Sequence, residues 1–127
     1  MKQGFRVSAS ITAAALLLGV VLLAGCASEA KPLQVTYYYK PGCTDCSHAQ
    51  TDVASLEQEF EGKVKVESLD ANSPEAAEMT KRLGFKEHGL VIRSHRGAVL
   101  YKATDHKLRM DDVREQLKQQ LAYQEAS

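Results

Sequence analysis

The chain has 127 residues, with 16 Lys and Arg against 16 Asp and Glu, and a formal net charge of zero at pH 7. That length supports one small domain with one core rather than two. No basic run or patch stands out, which argues against nucleic acid as a partner, and no internal repeat is visible.

The first 26 residues describe an export segment. MKQGFR carries Lys2 and Arg6 and no acid, the run from Ile11 to Gly25 has no charge, and Cys26 follows at once. A basic head, a short apolar stretch and small residues at its end are the features of a secretory signal. The stretch falls short of the roughly 20 apolar residues that a spanning helix needs. LAGC (Leu23, Ala24, Gly25, Cys26) resembles the lipobox of bacterial lipoproteins. The resemblance implies that residues 1–25 are removed as a signal peptide and that Cys26 is acylated. The chain would then be tethered to a membrane on the extracytoplasmic side. Ala27, where sorting would be altered by Asp, favours the outer membrane in a host that has two. Each buried methylene of an acyl chain adds about 0.8 kcal/mol of membrane affinity. Residues 26–32, with the polar stretch ASEAKP, form a flexible tether. Lys2 and Arg6 leave with the signal, so what remains is slightly acidic.

The domain proper is expected over residues 33–122. Leu33 to Lys40 (LQVTYYYK) is β-branched and aromatic and reads as a strand, which Pro41 and Gly42 stop. From Thr44 the period changes. Cys46, Ala49, Val53, Leu56 and Phe60 recur at helical spacing, and Gly62 closes the helix. Lys63 to Leu69 (KVKVESL) is a second strand. Ser73 and Pro74 are an N-cap and a first-turn residue, ahead of a stripe of Ala76, Met79 or Thr80, and Leu83, with Gly84 as the stop.

Gly89 to Arg93 is a third strand, SHRG turns it, and Ala98 to Lys102 returns as a fourth. A last helix carries Met110, Val113, Leu117 and Leu121, with Asp111 and Asp112 in its first turn, where acids suit the helix dipole. Residues 123–127 are a solvated tail. The order β-α-β-α-β-β-α requires a right-handed crossover that makes the first two strands parallel, while the hairpin is antiparallel. The expected architecture is an α/β three-layer sandwich, a mixed four-stranded sheet with helices on both faces.

Acylation of Cys26 leaves Cys43 and Cys46 as a C-x-x-C pair. Such a pair is a redox couple, half of a metal site or a structural disulfide. Outside the cytosol it can oxidise and persist as a disulfide. The loop is too short for cross-linking to stabilise the fold much, so stapling is a poor reason to have it. A second C-x-x-C is absent, which argues against a zinc ribbon.

The element order, with C-x-x-C between the first strand and the first helix, is similar to the thioredoxin fold in its small, glutaredoxin-like form. YYKPGCTDC in particular resembles the glutaredoxin stretch in which a strand ends in Lys-Pro-Gly-Cys-x-x-Cys. The resemblance implies a thiol–disulfide oxidoreductase in which Cys43 attacks and Cys46 resolves, flanked by Pro41, Gly42, Thr44 and Asp45. Its partners would be exported proteins bearing thiols or disulfides and a redox partner that resets it. The chain would act as a monomer with no cofactor beyond its own disulfide. Helix geometry agrees: Cys43 falls at the helix N-terminus, where amides and dipole favour a thiolate, and Cys46 one turn later on the buried stripe. Asp45 opposes a thiolate modestly, or simply supports the first turn of the helix.

The sequence also departs from that family. A cis-proline is expected just before the third strand, but the matching place is EHGL, Glu87 to Leu90. His88 or Gly89 stands there, and the three prolines lie at positions 32, 41 and 74. The glutathione-binding Thr-Val-Pro is missing with it, and ATDH (Ala103 to His106) replaces the Gly-Gly after the fourth strand. Glutathione is therefore not an expected substrate. Strand direction brings His88 and His106 to the end of the fold that holds the cysteines and leaves His95 distant. His48 lies about 200° around the helix from Cys46. Cys43, Cys46 and His88, with His106 as a further candidate, offer an alternative role as a copper or zinc carrier. In the redox reading His88 instead favours the Cys43 thiolate.

Overall fold

The computed structural model describes residues 30–127. The export segment, Cys26 and the first part of the tether lie outside them. Eight elements follow one another: β1 (Leu33–Tyr39), α1 (Thr44–Glu59), β2 (Val64–Asp70), α2 (Pro74–Leu83), β3 (Gly89–Arg93), β4 (Val99–Thr104), a short 3-10 turn (Asp105–Lys107) and α3 (Met110–Glu125). This is the expected order. Among the described residues no helix is long and apolar enough to cross a membrane.

The sheet runs β2-β1-β3-β4. β1 is parallel to β2 and antiparallel to β3, and β3 and β4 form the antiparallel hairpin. Alternation along β1 sorts the core into two layers. Leu33, Val35 and Tyr37 join Val64, Leu90 and Ile92 against Val53 and Leu56 of α1 and Val113 and Leu117 of α3. On the opposite face Tyr38 and Val91 pack with Ala76 and Leu83 of α2 and with Phe85. Each fully buried aliphatic side chain contributes roughly 1.5–3 kcal/mol, so these layers fix the sheet between its helices.

The helix ends follow local rules. Gly84 takes a left-handed φ of 78° after α2. Its N–H donates to the Lys81 carbonyl at 3.1 Å, and that of Phe85 to the Thr80 carbonyl at 2.9 Å. This pairing satisfies the last carbonyls and turns the apolar Phe85 back onto the core. At the end of α1 two consecutive residues are left-handed, Glu61 (φ 51°) and the expected Gly62 (φ 78°). The same pair of bonds forms there, from Glu61 to Gln58 and from Gly62 to Glu57. Ser73 precedes α2 as expected, but its hydroxyl donates to the Asp70 carbonyl at 2.8 Å and makes no cap bond.

Strand and helix boundaries differ from the sequence reading by a residue or more, most at β4 and α3. β4 ends at Thr104 rather than Lys102, because Ala103 pairs with Leu90 and Thr104 with Gly89. It starts at Val99, which pairs with Arg93 beyond a register shift between Ile92 and Arg93. α3 runs through Tyr123 to Glu125, so most of the expected tail is the last turn of this helix.

Candidate active site

β1 ends at Tyr39, and the next four residues make a tight turn. The Cys43 N–H donates to the Lys40 carbonyl at 3.3 Å, with Pro41 and Gly42 between them and Gly42 at φ +80°. Pro followed by a left-handed Gly is what a type II turn requires, and it aims the chain directly into α1. Cys43 is the N-cap residue, with φ −88° and ψ 119°, and its Sγ accepts from the Cys46 N–H at 3.2 Å. A sulfur in that place meets the unpaired amides of the first turn and the positive end of the dipole. Both stabilise it as a thiolate when the pair is reduced.

Cys43 is half-buried, whereas Cys46 is 3% exposed. The two are joined as a disulfide, with their Cα atoms 5.2 Å apart. One sulfur is thus reachable and its partner is shielded. The pair opens on a cleft of about 480 Å³ walled by Tyr37, Lys40, Glu87, His88, His106 and Leu108. Lys40 and Glu87 form a 2.9 Å ion pair that ties the end of β1 to the loop before β3. His88 and His106 meet edge to face with ring centres 6.3 Å apart. Burial raises the Tyr37 phenol above its usual value near 10, so it enters the cleft as a neutral hydroxyl.

The structure brings Pro41, Gly42, Cys43, Asp45, Cys46, His88 and His106 to one cleft. Thr44 is exposed and is not among the lining residues. Gly89 is buried and does not line the cleft either. A Cβ placed on it would lie 2.8 Å from two ring atoms of Phe85 and 2.9 Å from the Ala103 carbonyl oxygen. Gly89 therefore serves close packing behind the cleft, and a proline there would meet the same obstruction. No cis peptide bond occurs among the described residues. His48 and His95 are exposed and outside the cleft, as expected.

Among the described residues no group of three or more His, Cys, Asp or Glu side chains is arranged to hold a metal ion. Both sulfurs are engaged with each other in the disulfide, so any thiolate ligand set belongs to the reduced chain. Lys40, Glu87, Tyr37 and Leu108 were not singled out in the sequence as site residues. The available signal was adjacency, since Lys40 precedes Pro41 and Glu87 precedes His88.

The fold is thioredoxin-like, with its disulfide-forming C-x-x-C at the start of the first helix. Solved structures share it. Thioredoxin 1 from the thermophilic eubacterium Thermosipho africanus superposes with a TM-score of 0.60 at 12% identity, over 71% of this chain and 96% of its own. Chlamydomonas reinhardtii thioredoxin f2 gives 0.59 at 18% identity, over 73% and 82%. Thioredoxin-2 of the malaria parasite, described as a component of its protein secretion machinery, gives 0.57 at 16% identity, over 69% and 82%. No protein-family model and no curated protein matches the chain.

Proposed function

We propose that this chain is a thiol–disulfide oxidoreductase, tethered through acylated Cys26 to the extracytoplasmic side of a membrane and acting on exported proteins. The observation that carries the redox reading is the asymmetry of the pair. Cys43 is half-buried at a helix start, and Cys46 is sealed behind it and bonded to it.

In the reduced chain the Cys43 thiolate attacks a substrate disulfide, forms a mixed disulfide and releases one substrate thiolate. The Cys46 thiol then gives up its proton and attacks the Cys43 sulfur. The second substrate thiol leaves, and the Cys43–Cys46 disulfide is restored. Two electrons pass to the substrate, and a dithiol donor must return them. Run in reverse, the same steps oxidise a substrate dithiol. The LAGC lipobox supports the tether, and the basic head with its apolar stretch supports export.

The test uses the full chain with a disulfide reporter and a bound-metal assay on the same preparation. Turnover that disappears in Cys43→Ser, with a trapped mixed disulfide in Cys46→Ser, is the expected result. Stoichiometric copper or zinc without turnover would instead favour the carrier reading, with Cys43, Cys46 and His88 as ligands. Labelling of Cys26 by an acyl-chain precursor tests the tether separately.

A further inference from the structure

The end of the fold where β1 begins gathers features that the redox chemistry does not use. Two adjoining grooves there, of about 580 and 1070 Å³, share Ala30, Lys31, Gln124 and Glu125. The first adds Glu61, Lys63 and Lys65, and the second adds Arg96 of the β3–β4 turn and Tyr123 of α3. Lys63 is tied to Glu125 at 3.0 Å. Lys31, Lys65 and Arg96 are exposed and take part in none of the ion pairs among the described residues. Glu61 is the one further acid in the lining. The two large apolar side chains that lie exposed among the described residues are at this end as well. Tyr123, 73% exposed, lines the second groove, and Val99, 51% exposed, opens β4 just after the turn that carries Arg96.

Chain continuity brings a partner to this surface. Ala30 lines both grooves and stands four residues after Cys26. Four residues reach at most about 14 Å, so an acyl group on Cys26 brings the bilayer within that distance of Ala30. Lysine and arginine near such a surface are drawn to anionic headgroups, and an exposed tyrosine suits the boundary between headgroup and acyl chain. We propose that this end of the domain docks on anionic phospholipid, with Lys31, Lys65 and Arg96 on the headgroups and Tyr123 and Val99 at the lipid boundary. The inference rests on the acylated Cys26 of the proposed function. Neither groove shares a residue with the cysteine cleft, so lipid held there does not occupy it.

The chain has no tryptophan, so Tyr123→Trp places a single indole reporter in the docking face. The full chain carrying it is reconstituted into vesicles of phosphatidylcholine alone or mixed equally with phosphatidylglycerol, with part of the lipid brominated on its acyl chains. In the mixed vesicles the indole emission moves to shorter wavelength and the bromines quench it. The ratio of docked to undocked chain exceeds that in phosphatidylcholine by on the order of tenfold, and salt closes the gap. Lys31→Gln, Lys65→Gln and Arg96→Gln together bring the ratio to the phosphatidylcholine value. Equal emission in the two vesicles, or a difference that salt and charge removal leave unchanged, overturns the proposal. A shift that depends on protein concentration without vesicles assigns the face to a second copy and also overturns it. Absence of an acyl chain on Cys26 counts against the tether reading instead. The face is then judged with Cys26 coupled to a maleimide lipid on the oxidised chain, in which Cys43 and Cys46 are bonded to each other. An indole that anionic lipid leaves unchanged there overturns the docking.

Discussion

Replacing Gly89 by Ala tests the packing behind the cleft most directly. The added Cβ lies 2.8 Å from Phe85 Cδ2 and Cε2 and 2.9 Å from the Ala103 carbonyl oxygen. Carbon contacts are comfortable at about 3.5–4.0 Å, so every neighbour must retreat. Neither has room. Phe85 is 6% exposed, its ring meets Tyr38 edge-on at 6.1 Å, and Ala103 is held in the β3–β4 ladder opposite Leu90. Overpacking of this kind costs roughly 1–3 kcal/mol, and the backbone contact puts Gly89→Ala in the upper half of that range. For a domain of this size that lowers Tm by on the order of 10 °C. Urea unfolding followed by circular dichroism measures it. In a Phe85→Leu background the cost of Gly89→Ala falls by about 1 kcal/mol, because the ring contacts are eased while the carbonyl remains. A loss below about 0.5 kcal/mol in the single variant, or additivity in the cycle, refutes the reasoning.

Three further outcomes are expected. Arg114 holds Glu59 by two hydrogen bonds of 2.8 and 2.9 Å, and with Ser55 it lowers the Glu59 carboxyl from 4.5 to about 2. The stability this pair adds is present in full above the unfolded value and is lost as pH falls toward about 2. Glu59→Gln therefore destabilises by about 1 kcal/mol at neutral pH, a figure already discounted for solvent screening, and the gap between variant and native closes in acid. Glu61→Gly relieves a left-handed non-glycine residue and raises stability by about 0.5–1 kcal/mol, read as an increased urea midpoint. Leu56→Ala empties a fully buried site between α1 and the sheet and costs roughly 2–5 kcal/mol, with the slope of the unfolding curve unchanged.

The layout of the sheet was legible because two periods alternate along the chain. β1 is β-branched and aromatic, a composition suited to a strand buried on both faces, and the Val53 and Leu56 face of α1 announces its helix by spacing alone. The turn into the site was equally plain, since Pro41 and Gly42 leave little choice of conformation. What escaped depends on long-range contact. Ala103 and Thr104 read as loop because nothing local in ATDH favours a strand, and only pairing with Leu90 and Gly89 makes them one. Phe85 has a local signal, since an apolar residue just after a helix-ending glycine is the usual partner of that motif, but its packing against Tyr38 and Val91 is long-range. Gly89 was read as a site neighbour because of its place in sequence, whereas its reason for being glycine lies in the approach of Phe85 and Ala103. Glu87 lines the cleft and is tied there to Lys40, across 47 positions of chain.

β1 also acts as a spacer. Its seven residues enter at Leu33 and end at Tyr39, just ahead of the cysteine turn. At about 3.3 Å per residue that is a rigid stand-off of roughly 20 Å. Whatever grips the chain ahead of Pro32, whether a bilayer, a bead or a fused protein, is joined to the domain at the end of β1 remote from the sulfurs.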